Sequence, residues 1–206
     1  MPPATLSKRS NMIDINETKR ISREMTKEAL EATSEEYRSS ASATIAVNAL
    51  ALPEMHKART VMLYVSVDKE PATLALIVKL LEAGKKVCLP RCTEQTLEAR
   101  RIKSIEHLVL GPYGIPEPVA DDSVSPVVKP SKIDLVILPC VACGTDCSRL
   151  GHGTGYYDRF LKELKRDTFK AALCYDKILL EGIPMDEHDE YMNAVITEKT
   201  VYRWRP

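Results

Sequence analysis

The 206-residue chain has no excess of either charge sign, with 29 lysines and arginines against 29 aspartates and glutamates. A balanced chain creates no overall field to hold a polyanion, so no nucleic-acid partner is expected and any anion site must be local. It also lacks an apolar run approaching the roughly 20 residues that cross a bilayer. The stretch 74–81 is broken by Lys79, and 41–52 is short and interrupted. The amino terminus has no apolar core of a secretory signal. A cytoplasmic protein with no membrane partner is therefore expected, a mitochondrial location being left open by a basic leader that Asp14 and Glu17 interrupt. There are no internal repeats. The glycine-rich segment at 151–155 matches neither the Walker pattern nor the dinucleotide G-x-G-x-x-G fingerprint.

That segment is nevertheless the most informative stretch. In Arg149-Leu150-Gly151-His152-Gly153-Thr154-Gly155-Tyr156-Tyr157-Asp158 three glycines stand at alternate positions. Upstream, Leu135 to Leu138 closed by Pro139 reads as a buried strand; downstream, Tyr156, Tyr157, Phe160, Leu161 and Leu164 recur at helical spacing. Strand, glycine loop and helix start together favour an anion, because backbone N–H groups can turn toward it and the first helical turn has free donors. Asp158 in that turn either complements the helix dipole or holds Mg²⁺ beside a phosphate. The residue pattern alone reaches a phosphate site, with a nucleotide and metal as the natural ligands.

The length suits one domain with its own core. Residues 1–15 are polar and aperiodic and are expected to be a disordered tail, leaving 16–206 as the domain. A helix is predicted over 17–32, with Asn16 as cap and Ile21, Met25 and Leu30 as its apolar stripe; Lys19 and Arg23 share a face. A capping box at Thr33 and Glu36 opens a second helix, which Pro53 ends. A strand at 60–65, a helix from Leu74 closed by Gly84 and a strand at 87–90 read as a parallel crossover, which places Glu70 at the carboxyl end of a strand, where ligands collect. An irregular strand follows near 97–102, a rigid proline and glycine loop at 111–118, a strand at 169–175, a short helix and turn at 179–184, and a last strand at 194–197. The fold class is thus α/β, a single three-layer α/β/α domain around a mostly parallel sheet, Rossmann-like. Six cysteines in a chain of this kind are expected to be free thiols. Cys140, Cys143 and Cys147 crowd one loop, and with His152 they have a zinc-like spacing, but packing as small hydrophobes is the preferred reading.

The string Arg-Leu-Gly-x-Gly-x-Gly-Tyr-Tyr-Asp resembles the signature of the 5-formyltetrahydrofolate cyclo-ligase family, also called 5,10-methenyltetrahydrofolate synthetases. The likeness runs from about Lys19 to the end of the chain, through Lys19 and Arg23, Leu63-Tyr64-Val65-Ser66 with Glu70, Ile115-Pro116-Glu117-Pro118, and His188-Asp189. The resemblance implies ATP- and Mg²⁺-dependent conversion of 5-formyltetrahydrofolate to 5,10-methenyltetrahydrofolate, with ADP and phosphate released through an N5-iminium phosphate. It implies ATP at Lys19, Arg20, Ile21, Ser22 and Arg23 and along Arg149, Leu150, Gly151, His152, Gly153, Thr154, Gly155, Tyr156 and Tyr157. It implies the folate at Arg23, Val65, Glu70, Tyr113, His152, Gly153, Thr154, Gly155 and Tyr156, and Mg²⁺ at Asp158 and Asp189, with Arg149, Tyr156 and Asp158 carrying catalysis. A monomer is expected. The chain departs from the family pattern at Gly144 and Asn193, where aspartates are usual, at Thr154, where some members have lysine, and at Cys140 and Cys143, where glycine and phenylalanine are typical. The competing reading is another ATP-dependent acyl-activating or kinase-like enzyme on the same scaffold.

Overall fold

The structure, a computed structural model, describes residues 14–94, 96–186 and 189–205. Of the expected tail, residues 1–13 lie outside the described residues, as does His188. Helix α1 (Ile15–Glu31) begins two residues before its expected start, because the Asp14 carboxylate accepts from the Asn16 amide and so caps it. Of the expected apolar stripe only Leu30 packs against the core; Ile21 is 42% and Met25 61% exposed, while Lys19 and Thr26 are buried. Before that last turn the helix directs polar residues inward, toward carboxylates and cavities.

Helix α2 (Glu35–Leu50) is capped by Ser34, which accepts from the Tyr37 amide; the Thr33 hydroxyl instead donates back to Leu30 O at 2.6 Å. Pro53 does not end α2 but opens α3 (Pro53–Lys57), since a fixed φ suits a first turn and its missing N–H has no partner to lose there. The chain continues through β1 (Thr60–Met62), α4 (Leu74–Glu82), β2 (Lys86–Cys92) and β3 (Leu97–Ile102). A hairpin of β4 (Leu108–Leu110) and β5 (Pro116–Pro118) carries the expected rigid loop at its tip. Next come β6 (Leu135–Leu138), β7 (Ala142–Gly144), β8 (Arg149–Leu150) and α5 (Tyr156–Leu161). The last elements are β9 (Phe169–Leu173), β10 (Leu179–Leu180), β11 (Ala194–Ile196) and β12 (Val201–Arg203). Residues 179–180 pair with β7 as a strand, where a helix was expected. The chain also turns back after β11, because the Thr197 hydroxyl accepts from the Lys199 and Thr200 amides and closes a tight turn into β12.

The main sheet has seven strands in the order β12-β11-β9-β6-β1-β2-β3. The five inner strands are parallel and only the two edges are antiparallel, so helices flank a mostly parallel sheet. Strand β6 is buried at all four positions, which explains its unbroken apolar run. From β1 the chain moves outward to β2 on one side, then returns to β6 on the other. That reversal opens a crevice beyond the carboxyl ends of β1 and β6, the place where open α/β sheets bind ligands.

Two polar networks fix β1 and the loop that follows it. At the end of the sheet away from the crevice, Asp134 Oδ2 accepts from the amides of Arg59 and Thr60, both at 2.9 Å, and fixes the start of β1 against β6. At the other, the loop 66–73 is clamped by Thr73 Oγ1, which donates to Tyr64 O at 2.7 Å and accepts from Ser66 N. The Tyr175 hydroxyl completes this clamp by donating to Glu70 O at 3.1 Å and contacting Ser42 Oγ at 2.9 Å. Tyr175→Phe keeps the buried ring but takes a donor from Glu70 O and leaves Ser42 Oγ with only the Ala72 amide, so it should lower unfolding free energy by about 1–3 kcal/mol. Urea denaturation checks this; a midpoint unchanged from the parent would remove the hydroxyl from the clamp.

Candidate active site

The glycine segment leaves β8 and crosses the crevice before α5 begins. Gly155 has φ 70°, and a Cβ there would meet Arg159 Nη1 at 2.8 Å, so only glycine closes this turn without displacing the arginine. Arg149 lies beneath the segment, not at its mouth. Its side chain is 6% exposed, Nη1 donates to Pro139 O at 3.2 Å, and Nη2 donates to Asp158 Oδ1 at 2.5 Å. Helix α5 has six residues, and its dipole is correspondingly small. The positive potential expected of a helix start comes mostly from side chains. Arg23 reaches over from α1, its Nε donating to Gly151 O at 3.0 Å, and Arg159 stacks on the Tyr156 ring at 5.1 Å.

Two cavities meet at this segment. The first, about 550 Å³, is lined by Val65, Leu97, Tyr113, Ile115, Glu117, Tyr156 and Tyr157 with the loop 151–155. The second, about 750 Å³, has a more basic wall of Arg23, Lys27 and Lys69, with Leu30, Cys140 and Tyr175. Glu70 and His152 belong to both. Glu70 is held there by the Val67 amide, which donates to Oε2 at 3.0 Å, and its Oε1 lies 3.4 Å from His152 Nε2. The hydrogen bond to this carboxylate raises the His152 imidazole above its ordinary value, outweighing desolvation. Burial likewise pushes the Tyr157 phenol up and keeps it neutral.

The structure therefore gathers Arg23, Val65, Glu70, Tyr113 and the segment from Gly151 to Asp158 around two joined cavities. Other expected members point elsewhere. Arg20 is paired with Glu17 and Glu24 on the solvent face of α1, Ile21 is exposed, and Ser22 lines neither cavity, because only positions three or four apart share a helix face. Leu150 is buried in a small apolar cluster with Ala142 and Ile183. Lys19 is buried and bonds Asp186 Nζ to Oδ2 at 2.7 Å and also Asp189. Desolvation opposes its charge, but those two carboxylates prevail and hold its ammonium above the ordinary value.

Both expected metal ligands consequently have cationic partners, Asp158 in Arg149 and Asp189 in Lys19. Asp158 therefore has a neutralising partner of its own, a role that neither the helix-dipole nor the Mg²⁺ reading included. Sequence reasoning passed over Lys27 and Asp186, although Lys27 extends the Lys19 and Arg23 spacing by another four residues and Asp186 precedes Asp189 by three. It quoted Glu117 without assigning it a role; that carboxylate is buried in the first cavity, with Oε1 3.2 Å from the Cys92 amide. The Gly144 departure has a local reason: a Cβ there would lie 2.2 Å from Asp146 Oδ1, so Asp146 fills the space a larger residue would need.

Comparison with known proteins agrees with this architecture. A model of the 5-formyltetrahydrofolate cyclo-ligase family matches residues 15–198. The chain is 32% identical over 184 residues to a probable 5-formyltetrahydrofolate cyclo-ligase of Schizosaccharomyces pombe, covering 80% of this chain and 87% of that one. It is 33% identical over 165 residues to the 5-formyltetrahydrofolate cyclo-ligase of Escherichia coli, covering 77% and 88%. Among solved structures, 5,10-methenyltetrahydrofolate synthetase of Aquifex aeolicus superposes with a TM-score of 0.81 at 32% identity, over 91% of this chain and 93% of that one. With the signature segment, the strand order and these matches in agreement, the chain belongs to the 5-formyltetrahydrofolate cyclo-ligase family.

Proposed function

We propose that the chain converts 5-formyltetrahydrofolate to 5,10-methenyltetrahydrofolate at the expense of ATP, releasing ADP and phosphate through an N5-iminium phosphate. One observation carries the reading: two cavities of different character share the Glu70 and His152 wall, and the rest of the glycine segment lines the first of them. The aromatic cavity with its carboxylates suits a flat pterin, whose amino and ring N–H groups need acceptors such as Glu70. The basic cavity suits a nucleotide, with Arg23 beside the segment 151–153 as the cation nearest the phosphates. The formyl oxygen and the terminal phosphate then meet along 152–156.

A formamide carbonyl is a poor electrophile, and its oxygen is a poor leaving group when N10 attacks. Phosphorylating that oxygen corrects both faults. The protein's task is to hold the oxygen in line with the phosphate and keep water out, since phosphoryl transfer depends on placement and charge stabilisation more than on covalent help. No side chain here needs to act as a general base.

The donor set fits Mg²⁺ in a limited way. Asp158 Oδ1 is taken by Arg149, and its second oxygen has no partner among the described residues, which suits a single carboxylate anchoring an ion that arrives on phosphates. Asp189 accepts from both Lys19 and the Asp186 amide, and no cluster of three potential ligands includes either aspartate among the described residues. Bound with the nucleotide, Mg²⁺ supplies neutralisation of phosphate charge.

Mixing the protein with Mg-ATP and 5-formyltetrahydrofolate should produce the methenyl chromophore, and omitting nucleotide should abolish it. Equal product without nucleotide would sink the phosphorylated intermediate. Glu70→Gln should weaken folate binding about ten- to a hundredfold, the cost of a charge-assisted hydrogen bond of roughly 1.5–3 kcal/mol, with much less effect on ATP. Calorimetric titration of each ligand tests this, and equal losses would move Glu70 away from the pterin. Asp158→Asn should nearly abolish turnover and raise the Mg²⁺ concentration needed for half-maximal rate. Should the variant lose stability while keeping both its turnover and its Mg²⁺ requirement, Asp158 serves only as the partner of Arg149.

A further inference from the structure

Three cysteines take no part in the chemistry above. Cys140 follows β6 and Pro139, Cys143 lies on β7, and Cys174 directly follows β9. Their Sγ atoms all lie within 4.8 Å of one another, and all three residues are buried. Dividing 4.8 Å by the square root of three shows that some point lies within about 2.8 Å of every sulfur, whereas a Zn–S bond is about 2.3 Å. Movements of about half an ångström would therefore bring all three to bonding distance.

We propose that Cys140, Cys143 and Cys174 form a binding site for one thiophilic d¹⁰ cation, Zn²⁺, with a fourth coordination position facing the larger cavity. Three sulfurs and no oxygen donor select a soft or borderline ion over Mg²⁺ or Ca²⁺. Cys140 is the member that opens onto that cavity, so a water molecule can complete a tetrahedron from its side. The charge also balances better than at an isolated site: three thiolates around Zn²⁺ leave one net negative charge, and Arg149 is close by. Arg149 stands opposite Cys143 in the β7–β8 pair, and its Nη1 donates to the carbonyl of Pro139, next to Cys140. Cys140 Sγ is placed to donate to Leu173 O at 3.2 Å and Cys174 Sγ lies 3.5 Å from Tyr175 O, so both thiols have a backbone acceptor. As three S–Zn bonds form, the proton of each sulfur that is still a thiol passes to buffer. The ion would join the ends of β6, β7 and β9 directly under the loop that Arg149 supports. The trio differs from the one its sequence spacing suggests, because Cys147 and His152 are not part of the cluster and Cys174 comes from a distant strand.

The test uses the full chain, reduced and stripped of metal, and needs no nucleotide or folate. Titration with Zn²⁺ against a chromophoric chelator should show one ion per chain, and Co²⁺ in its place should give thiolate charge-transfer absorption in the near ultraviolet. Losing a partner that merely orients a ligand costs 10–100-fold in metal affinity, so Cys143→Ala and Cys174→Ala, which each lose a ligand, should weaken Zn²⁺ binding more than about a hundredfold. Cys147→Ala should bind as the parent does. Circular dichroism identifies variants that fail to fold, and the parent protein decides the matter without them. Absence of the Co²⁺ band in the parent, or undiminished Zn²⁺ uptake by folded Cys143→Ala, would overturn the proposal.

Discussion

The buried guanidinium of Arg149 is the constraint on which the site depends. An arginine that is almost fully enclosed costs several kcal/mol unless its charge is answered, and removing one partner of such a pair leaves that cost exposed. Here the answers come from the carbonyl of Pro139 at the end of β6 and the carboxylate of Asp158 on α5. One side chain thereby ties a sheet strand to the helix on the far side of the glycine segment and sets the height of the segment between them. Gly151 lies close over it: a Cβ would sit 3.0 Å from Arg149 Nη1, so a larger residue would require the guanidinium to give by a few tenths of an ångström.

The second organising feature is the polar face of α1. Helices on a sheet ordinarily bury an apolar stripe, and this one instead buries Lys19 and directs Arg23 and Lys27 toward the site. Such a face is stable because its two most enclosed cations have something to meet, Lys19 the carboxylates of Asp186 and Asp189 and Arg23 the carbonyl of Gly151, while Lys27 stays exposed to water. The helix in this way becomes one wall of the more basic cavity. It leaves Ile21 and Met25 on the outside, which explains why an apolar residue count misjudges its orientation.

Between the cavities, Glu70 and His152 form the shared wall, and neither is positioned by its own element alone. Glu70 is held by the Val67 amide through its side chain and by Tyr175 through its carbonyl, so the loop after β1 takes its position from a residue beyond β9. His152 brings the glycine segment against that loop at 3.4 Å. Because its imidazole is held above the ordinary value by Glu70, the contact is a charged pair below that raised value and loses its charge as pH rises through it.

What the sequence determined by itself was the part governed by local chemistry. Strand β6 follows from an apolar run closed by proline, the β1, α4 and β2 order from alternating periodicities, and the glycine segment from residues that lack Cβ where the chain must turn. Among the cavity-lining positions, Arg23, Val65 and Tyr113 were legible only through the resemblance of their motifs to a family, whereas Glu70 also followed from its place beyond a strand. What the tertiary structure alone decided was partnership. No spacing rule pairs Lys19 with Asp186 and Asp189, sets Arg149 against Asp158 beneath a loop, or joins Cys174 to Cys140 and Cys143. Sequence periodicity reports which face of an element a residue occupies, whereas the charge that answers a buried group is supplied by whichever distant segment the sheet order brings beside it.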